Sequence, residues 1–338
     1  VEYDLIPFSE GKSPLAQLGQ EKNDLVSERS FEDYQKRIDP NTLARQKYDL
    51  SLFCLYIAGH NIIISPEDLL HKPEAWSDIT HGIVSDFVQW MLEDGFAIGT
   101  INIRLSTVKT YLRLAAKAGS IPYSELVALQ LVKGYSYAQG ENVNEQRNNT
   151  NKGVKKSQPV ALAREQVALL KKPMGTPQGR RDTLLMCLLL DHGLRCGEVA
   201  DLAPDDIRLS EGLMVFRREK VKKTQRHKLS ADTLVALIGY LEVYQPTQRL
   251  LAGSRKGGQL EGVMSRRAIT KRVKVLGQRV LGIEGLSAHD CRHAWVESAI
   301  RGGTDIKSLQ QAGGWSSPAM PLRYAGDAEI ANEEVKLG

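Results

Sequence analysis

Between Gly140 and Pro159 the chain runs GENVNEQRNNTNKGVKKSQP, a polar, asparagine-rich stretch with almost no apolar residue. A segment of this composition cannot join a packed core, so it reads as a linker, and the fold must be built from two halves with separate cores. The 338 residues suffice for that, since a single core rarely grows past ~250–300 residues. The halves also differ in charge. Residues 1–150 carry 14 Lys and Arg against 20 Asp and Glu, whereas residues 151–338 carry 31 against 20. The expected organisation is a loosely ordered N-terminal arm over 1–27, a helical domain over 28–139, the linker over 140–159 and a basic domain over 160–338. A basic half suits a polyanionic partner, although a merely soluble basic surface gives the same count.

The N-terminal half has helical periodicity from NTLARQKYDLSLFCLYIAGH onward. THGIVSDFVQWMLEDG follows, with Thr80 as its cap and Gly95 as its stop. In GTINIRLSTVKTYLRLAAKAG, at about 100° per residue, Ile101, Leu105, Val108, Leu112 and Ala115 share one face. Lys109, Arg113 and Lys117 make a stripe beside that face, with no acidic residue among them. The stripe is either a solvated helix edge or a row of phosphate contacts. A fourth helix is expected in YSELVALQLVKGYSYAQ.

The second half starts with helices around AREQVALLKKP and RRDTLLMCLLLDHG. The period then shortens to that of strands in GLMVFRR, a lysine-rich turn and the returning RHKLS. Helices resume at SADTLVALIGYLEVY, SRRAITKRVKVLGQRVL and SAHDCRHAWVESAIRGG, and DIKSLQQAGGW and SPAMPLRYAG close the domain. The fold class is therefore mainly α, with a small antiparallel β-hairpin or sheet in the C-terminal domain. Within GLRCGEVADL, Leu194, Val199 and Leu202 are core-like, and Glu198 and Asp201 look solvent-facing. Arg195 sits among apolar neighbours, where a cation is costly unless something anionic meets it.

Four pieces stand in chain order. They are Arg195 with Glu198, the lysines at 222 and 223, HDCRH at 289–293, and GGWSSPAMPLRYA with Trp315 and Tyr324. In this order and spacing, R-x-x-E, H-x-x-R and the terminal R-Y resemble the tyrosine recombinase (phage integrase) family, from about residue 40 to the end. Where many members have a second histidine this chain has Trp315, as the Cre-like branch does. The resemblance implies a two-domain DNA clamp, with a helical core-binding (SAM-like) domain and a catalytic domain. It implies a site-specific recombinase that cleaves and religates DNA through a 3′-phosphotyrosyl intermediate and a Holliday junction. It also implies a homo-tetramer on two DNA sites with inverted-repeat half-sites, joined by exchange of the C-terminal tail.

The residue types support that chemistry independently. Two arginines can each fork onto the non-bridging oxygens of one phosphodiester, and Arg195 and Arg292 suit that role. They stabilise the charge of a five-coordinate transition state without a metal. His289 lies three residues before Arg292, at a helix start, and can exchange a proton or bind a phosphate oxygen. Tyr324 supplies the nucleophile; its hydroxyl, with a reference pKa near ~10, needs a base or a strongly cationic site. A lysine in a mobile β-turn can protonate the departing 5′ oxygen, with Lys223 the first choice and Lys222 the second. Glu198 is expected to orient a neighbouring side chain, and Trp315 offers one indole N–H. Lys109, Arg113, Lys117 and Lys222 are the expected DNA contacts.

Several classes are disfavoured. Cys54, Cys187, Cys196 and Cys291 are widely spaced without a CxxC pair, which argues against a zinc site or disulfide framework and fits a reducing cytoplasm. No apolar run approaches the ~20 residues of a membrane span. The start lacks the basic and apolar regions of a secretory signal, and beginning at Val1 it is expected to lack a few native residues. No phosphate loop and no acidic cluster point to ATP or metal as cofactors. The expected location is the cytoplasm, at the nucleoid. Two alternatives stand beside the recombinase: a type IB topoisomerase-like enzyme, and a DNA-binding regulator with a silent site.

Overall fold

A computed structural model describes residues 14–136, 138–140, 143, 160–255 and 257–322, with Lys220 described in its backbone alone. The chain divides into two compact units, Val1–Ser157 and Gln158–Gly338. It is mainly helical, with two small antiparallel sheets, both in the second unit. No helix among the described residues is long and apolar enough to cross a membrane. The expected linker falls almost wholly outside the described residues.

The first unit's described helices include α1 (Pro14–Glu28), α2 (Ser30–Arg37), α3 (Pro40–Ala58), α4 (Pro66–His71), α5 (His81–Glu93), α6 (Ile98–Lys117) and α7 (Tyr123–Leu131). Their starts follow from local chemistry. Asp39 accepts from the Asn41 N–H ahead of α3, Ser65 from Asp68 ahead of α4, and Thr80 from Ile83 ahead of α5. In the first two a proline follows the cap, where its missing N–H costs nothing. Helix α6 packs against α2, α3, α5 and α7, and all five of its expected face residues are buried. The core around it is aromatic: Trp76 stacks on Phe53 and on Tyr111, with ring centroids 6.2 and 5.9 Å apart.

Two expectations need correction here. Residues 14–28 form a helix rather than a loosely ordered arm, yet none of them is buried, which is why no core-facing period marks it. The fourth helix ends at Leu131, well short of its expected end. The Asn102 side chain takes over the backbone of Tyr135, accepting from its N–H at 2.9 Å and donating to its carbonyl at 2.8 Å. Gly134 passes so close to Asn102 that a Cβ would collide with it.

The second unit is built around one helix. Its helices are α8 (Arg164–Leu170), α9 (Pro177–Leu190), α10 (Cys196–Asp201), α11 (Ala231–Leu241), α12 (Arg266–Leu281), α13 (Ala288–Arg301), α14 (Ile306–Gly313) and α15 (Ala319–Leu322). Every residue of α9 from Arg181 to Leu190 is buried, with α11 and α13 packed against it. A three-stranded sheet, β1 (Ile207–Arg208), β2 (Leu213–Arg218) and β3 (Lys223–Lys228), has the order β1-β2-β3. The β2–β3 register pairs Arg218 with Lys223, Phe216 with Gln225 and Met214 with His227. A second pair, β4 (Gly253–Ser254) with β5 (Leu260–Glu261), has strands too short for any alternation to mark them.

Candidate functional site

Arg195 is set by its own helix start. It is the N-cap residue of α10, with φ −73° and ψ 150°, and Glu198 sits one turn later. The Arg195 N–H donates to Glu198 Oε2 at 2.8 Å, and its Nη1 donates to Oε1 at 2.7 Å. R-x-x-E is thus half of a capping box as well as an ion pair. The Arg195 side chain keeps 26% exposure while that of Glu198 keeps 8%. The solvent-facing expectation for Glu198 is therefore wrong, because a residue twenty positions away covers it. Asp201 does face solvent, paired with Arg266 at 2.7 Å.

That covering residue is Arg218, at the end of β2, fully buried. Its Nη1 donates to Glu198 Oε2 at 2.5 Å. Burial works against the Glu198 charge, but Arg218 and Arg195 together outweigh it and hold the carboxyl below its ordinary range. Alternation along β2 puts Met214, Phe216 and Arg218 inside. This period was legible in LMVFRR, but the sequence reading missed Arg218.

Lys222 and Lys223 separate in the hairpin. Lys222 occupies the tip with φ 49°, a left-handed conformation. Lys223 is not in the turn but opens β3, exposed. Directly paired residues share a face of the sheet, so Lys223 stands on the Arg218 side.

Arg292 lies on the first turns of α13, whose cap is Ser287. It is buried, and its guanidinium donates Nη1 to the Gly193 carbonyl and Nη2 to the Gly313 carbonyl at 2.6 Å. Its carbon lies 4.2 Å from the centre of the Trp315 ring, and Trp315 stacks on Trp295 with centroids 6.2 Å apart. Gly193, at φ 57°, runs so close to Trp295 that no side chain fits there. Arg292 therefore ties the loop before Arg195 to the turn before Trp315. His289 is exposed on the same helix, its ring 4.7 Å from that of His293 and nearly perpendicular to it. Asp290 accepts from the Ser287 N–H at 2.8 Å and from the Val160 N–H at 3.1 Å, which makes it a structural residue.

Arg195 and Glu198 are in direct contact, as are Arg292 and Trp315, and Arg292 holds the Gly193 carbonyl two residues before Arg195. The hairpin lysines connect to this group through Arg218, and His289 by sharing α13. The sequence places Ala328, Ala331 and Val335 on one narrow apolar stripe of the tail after Tyr324; that stripe and Tyr324 lie outside the described residues. Among the described residues no cluster of three or more His, Cys, Asp or Glu could hold a metal ion.

In the first unit, Lys109 and Arg113 border an open groove of about 600 Å³ with Asn102, Ser106, Lys133 and Tyr135. The Lys109 ammonium donates to the Gln130 carbonyl at 3.1 Å. Burial first, then the charges of Arg113 and Lys133, push its pKa down. Lys117, the last residue of α6, is exposed and does not line this groove. Lys133 does, and the sequence stripe missed it because it lies beyond the helix. The exposed Arg267, Lys271 and Lys274 of α12 form a second basic surface, in the other unit, that the sequence reading passed over.

Comparison with known proteins agrees with this geometry. Residues 161–329 match the family described as the Phage integrase family. The chain is 31% identical over 165 residues to the tyrosine recombinase XerA of Thermococcus kodakarensis, covering 48% of this chain and 57% of that protein. It is 23% identical over 296 residues to the tyrosine recombinase XerC of Roseiflexus castenholzii, covering 84% of this chain and 82% of that one. Among solved structures, a lambda integrase tetramer bound to a Holliday junction has the same fold, with a TM-score of 0.61 at 16% identity, covering 94% of this chain and 83% of that one.

Proposed function

The chain belongs to the phage integrase family, and from that premise we propose that it is a site-specific DNA recombinase using Tyr324 as nucleophile. Arg195 and Arg292 engage the non-bridging oxygens of one phosphodiester and offset the charge that builds in the transition state. The Tyr324 oxygen attacks phosphorus and its proton leaves to a base; His289 is the group we assign to exchange a proton or bind a phosphate oxygen. The bond to the 5′ oxygen breaks, and that oxygen takes a proton from Lys223 or Lys222. The product is a 3′-phosphotyrosyl enzyme and a free 5′ hydroxyl. Attack by a 5′ hydroxyl from a second duplex reverses the step, so the phosphodiester energy is kept and neither ATP nor a metal is required. Two such exchanges pass through a Holliday junction.

The contact chain from Arg195 through Gly193 to Arg292 and Trp315 carries this reading. It ties a buried arginine to the loop that carries a part-exposed one, in the more basic half of the chain. The groove of Lys109, Arg113 and Lys133 and the basic side of α12 supply backbone contacts whose strength falls with salt. We further assign inverted-repeat half-sites, a tetramer holding two DNA sites, tail exchange between protomers, and action on nucleoid DNA in the cytoplasm. The experiment uses DNA fragments flanking the chain's own gene and a denaturing gel for covalently attached protein. The wild type should form an adduct on a 3′ phosphate, and Tyr324→Phe should form none while still binding DNA. An adduct that persists in Tyr324→Phe would mean another nucleophile.

A further inference from the structure

We propose that Arg218 is a positioning residue for this reaction, holding Arg195 in place through Glu198 and linking both to the turn before Trp315. The inference rests on the recombinase reading above.

Arg218 reaches three elements at once. Its Nη1 donates to Glu198 at 2.5 Å, its Nη2 to the Ala312 carbonyl at the end of α14 at 2.8 Å, and its Nε to Gln225 Oε1 on β3. Gln225 in turn donates to the Gln311 carbonyl at 2.5 Å. The guanidinium carbon sits 4.9 Å from the centre of the Phe216 ring. Gly314, at φ 63°, lies against its side chain with no room for a Cβ. A lysine could satisfy only part of this, since a point charge lacks the planar fork.

Glu198 shows why the cation is needed. Its two oxygens accept from Arg195 twice and from Arg218 once. When a phosphate draws the Arg195 guanidinium outward, the buried carboxylate loses part of its compensation. Arg218, with no solvent exposure, stays behind and keeps Glu198 ionised. The carboxylate can then hold the Arg195 backbone N–H throughout, and the helix start that aims the side chain does not loosen.

The test is single-turnover adduct formation on the same flanking DNA at saturating protein, from pH 5.5 to 8.5, with thermal melting alongside. Arg218→Met should slow attachment roughly 10–100-fold, the range for partners that orient a reacting group, with DNA affinity little changed. The penalty should grow as pH falls, because without Arg218 burial raises the Glu198 pKa and protonation releases Arg195. Combining Arg218→Met with Glu198→Gln removes both charges, so the double variant should lose less than the product of the single losses. A penalty that is flat with pH, or losses that simply multiply, would overturn the proposal. Should Arg218→Met fail to fold, Arg218→Lys carries the test. It keeps the charge without the fork, so attachment should slow with a flat pH dependence, and a wild-type rate would overturn the proposal. Absence of any wild-type adduct would refute the recombinase reading instead.

Discussion

Trp76 and Arg218 are both completely buried, one in each unit, and they are accommodated in opposite ways. Trp76 needs a single hydrogen bond, from its indole N–H to the Leu69 carbonyl at 2.9 Å, and otherwise packs among rings. Arg218 needs three acceptors, one of them a carboxylate. The contrast runs through the two cores. The first is aromatic, and its buried Arg104 lies 4.3 Å from the Phe96 ring centre, with Nε and Nη1 lacking hydrogen-bond partners among the described residues. The second is aliphatic around α9, and the buried Arg181, Arg218 and Arg292 each hydrogen-bond to carbonyls, two of them also to carboxylates. Burying a charge is costly unless it is paired and hydrogen-bonded. One core is organised to pack, the other to fix where cations stand.

Substitutions can break that contrast. Trp76→Ala should destabilise the first unit by about 3–5 kcal/mol, the usual cost of emptying an aromatic site. DNA attachment by the folded fraction should continue, and denaturant melts beside adduct assays read both. Arg195→Ala and Arg292→Ala should each slow attachment about 10²–10³-fold, the loss expected for one donor to a developing oxyanion. They should differ in stability. Arg195→Ala should melt near the wild type, whereas Arg292→Ala leaves the Gly193 and Gly313 carbonyls without their guanidinium and should cost about 1–3 kcal/mol. Equal melting temperatures would show that Arg292 adds nothing to the fold beyond its part in the reaction.

The most gradual effect is set by pH. His192 and His227 lie in the second unit, and burial above all pushes both down to about 4 from an ordinary 6.5. The unfolded chain therefore binds more protons than the folded one between those values, so stability falls as pH drops through that window. His60, His71 and His81 of the first unit are exposed. Hydrogen exchange should show the second unit losing about 2 kcal/mol for each of the two imidazoles from pH 6.5 to 4.5, with the first nearly unchanged. Equal losses in both units would show that these two imidazoles do not control the acid response.

Where the pattern is local, the sequence was enough. The α6 face from Ile101 to Ala115 and the cap at Thr80 depend on residues within four positions of one another. The R-x-x-E and H-x-x-R spacings are local for the same reason. What escaped is non-local. Asn102 stops α7 from thirty-three residues away, and Glu198 is covered by Arg218 across twenty. Lys223 belongs to a strand only once its register with Arg218 is known. Helix α1 was missed for another reason, because an exposed helix leaves no core-facing stripe to read.

Gly313 and Gly314 occupy the narrowest passage in the second unit, where a Cβ on the first would enter the Trp315 ring and one on the second would meet Arg218. For protein engineering this is a seam that should not be cut. A chimera that joins this scaffold to another tail between α14 and Trp315 would have to keep both glycines and their spacing. A junction at Gly303, exposed and at φ 80° with open space around it, keeps Ala312, both glycines and Trp315 together on one parent, and the partner scaffold has only to supply Arg218. Libraries of swapped C-termini should therefore survive at Gly303 and fail between α14 and Trp315, even when both parents are closely alike.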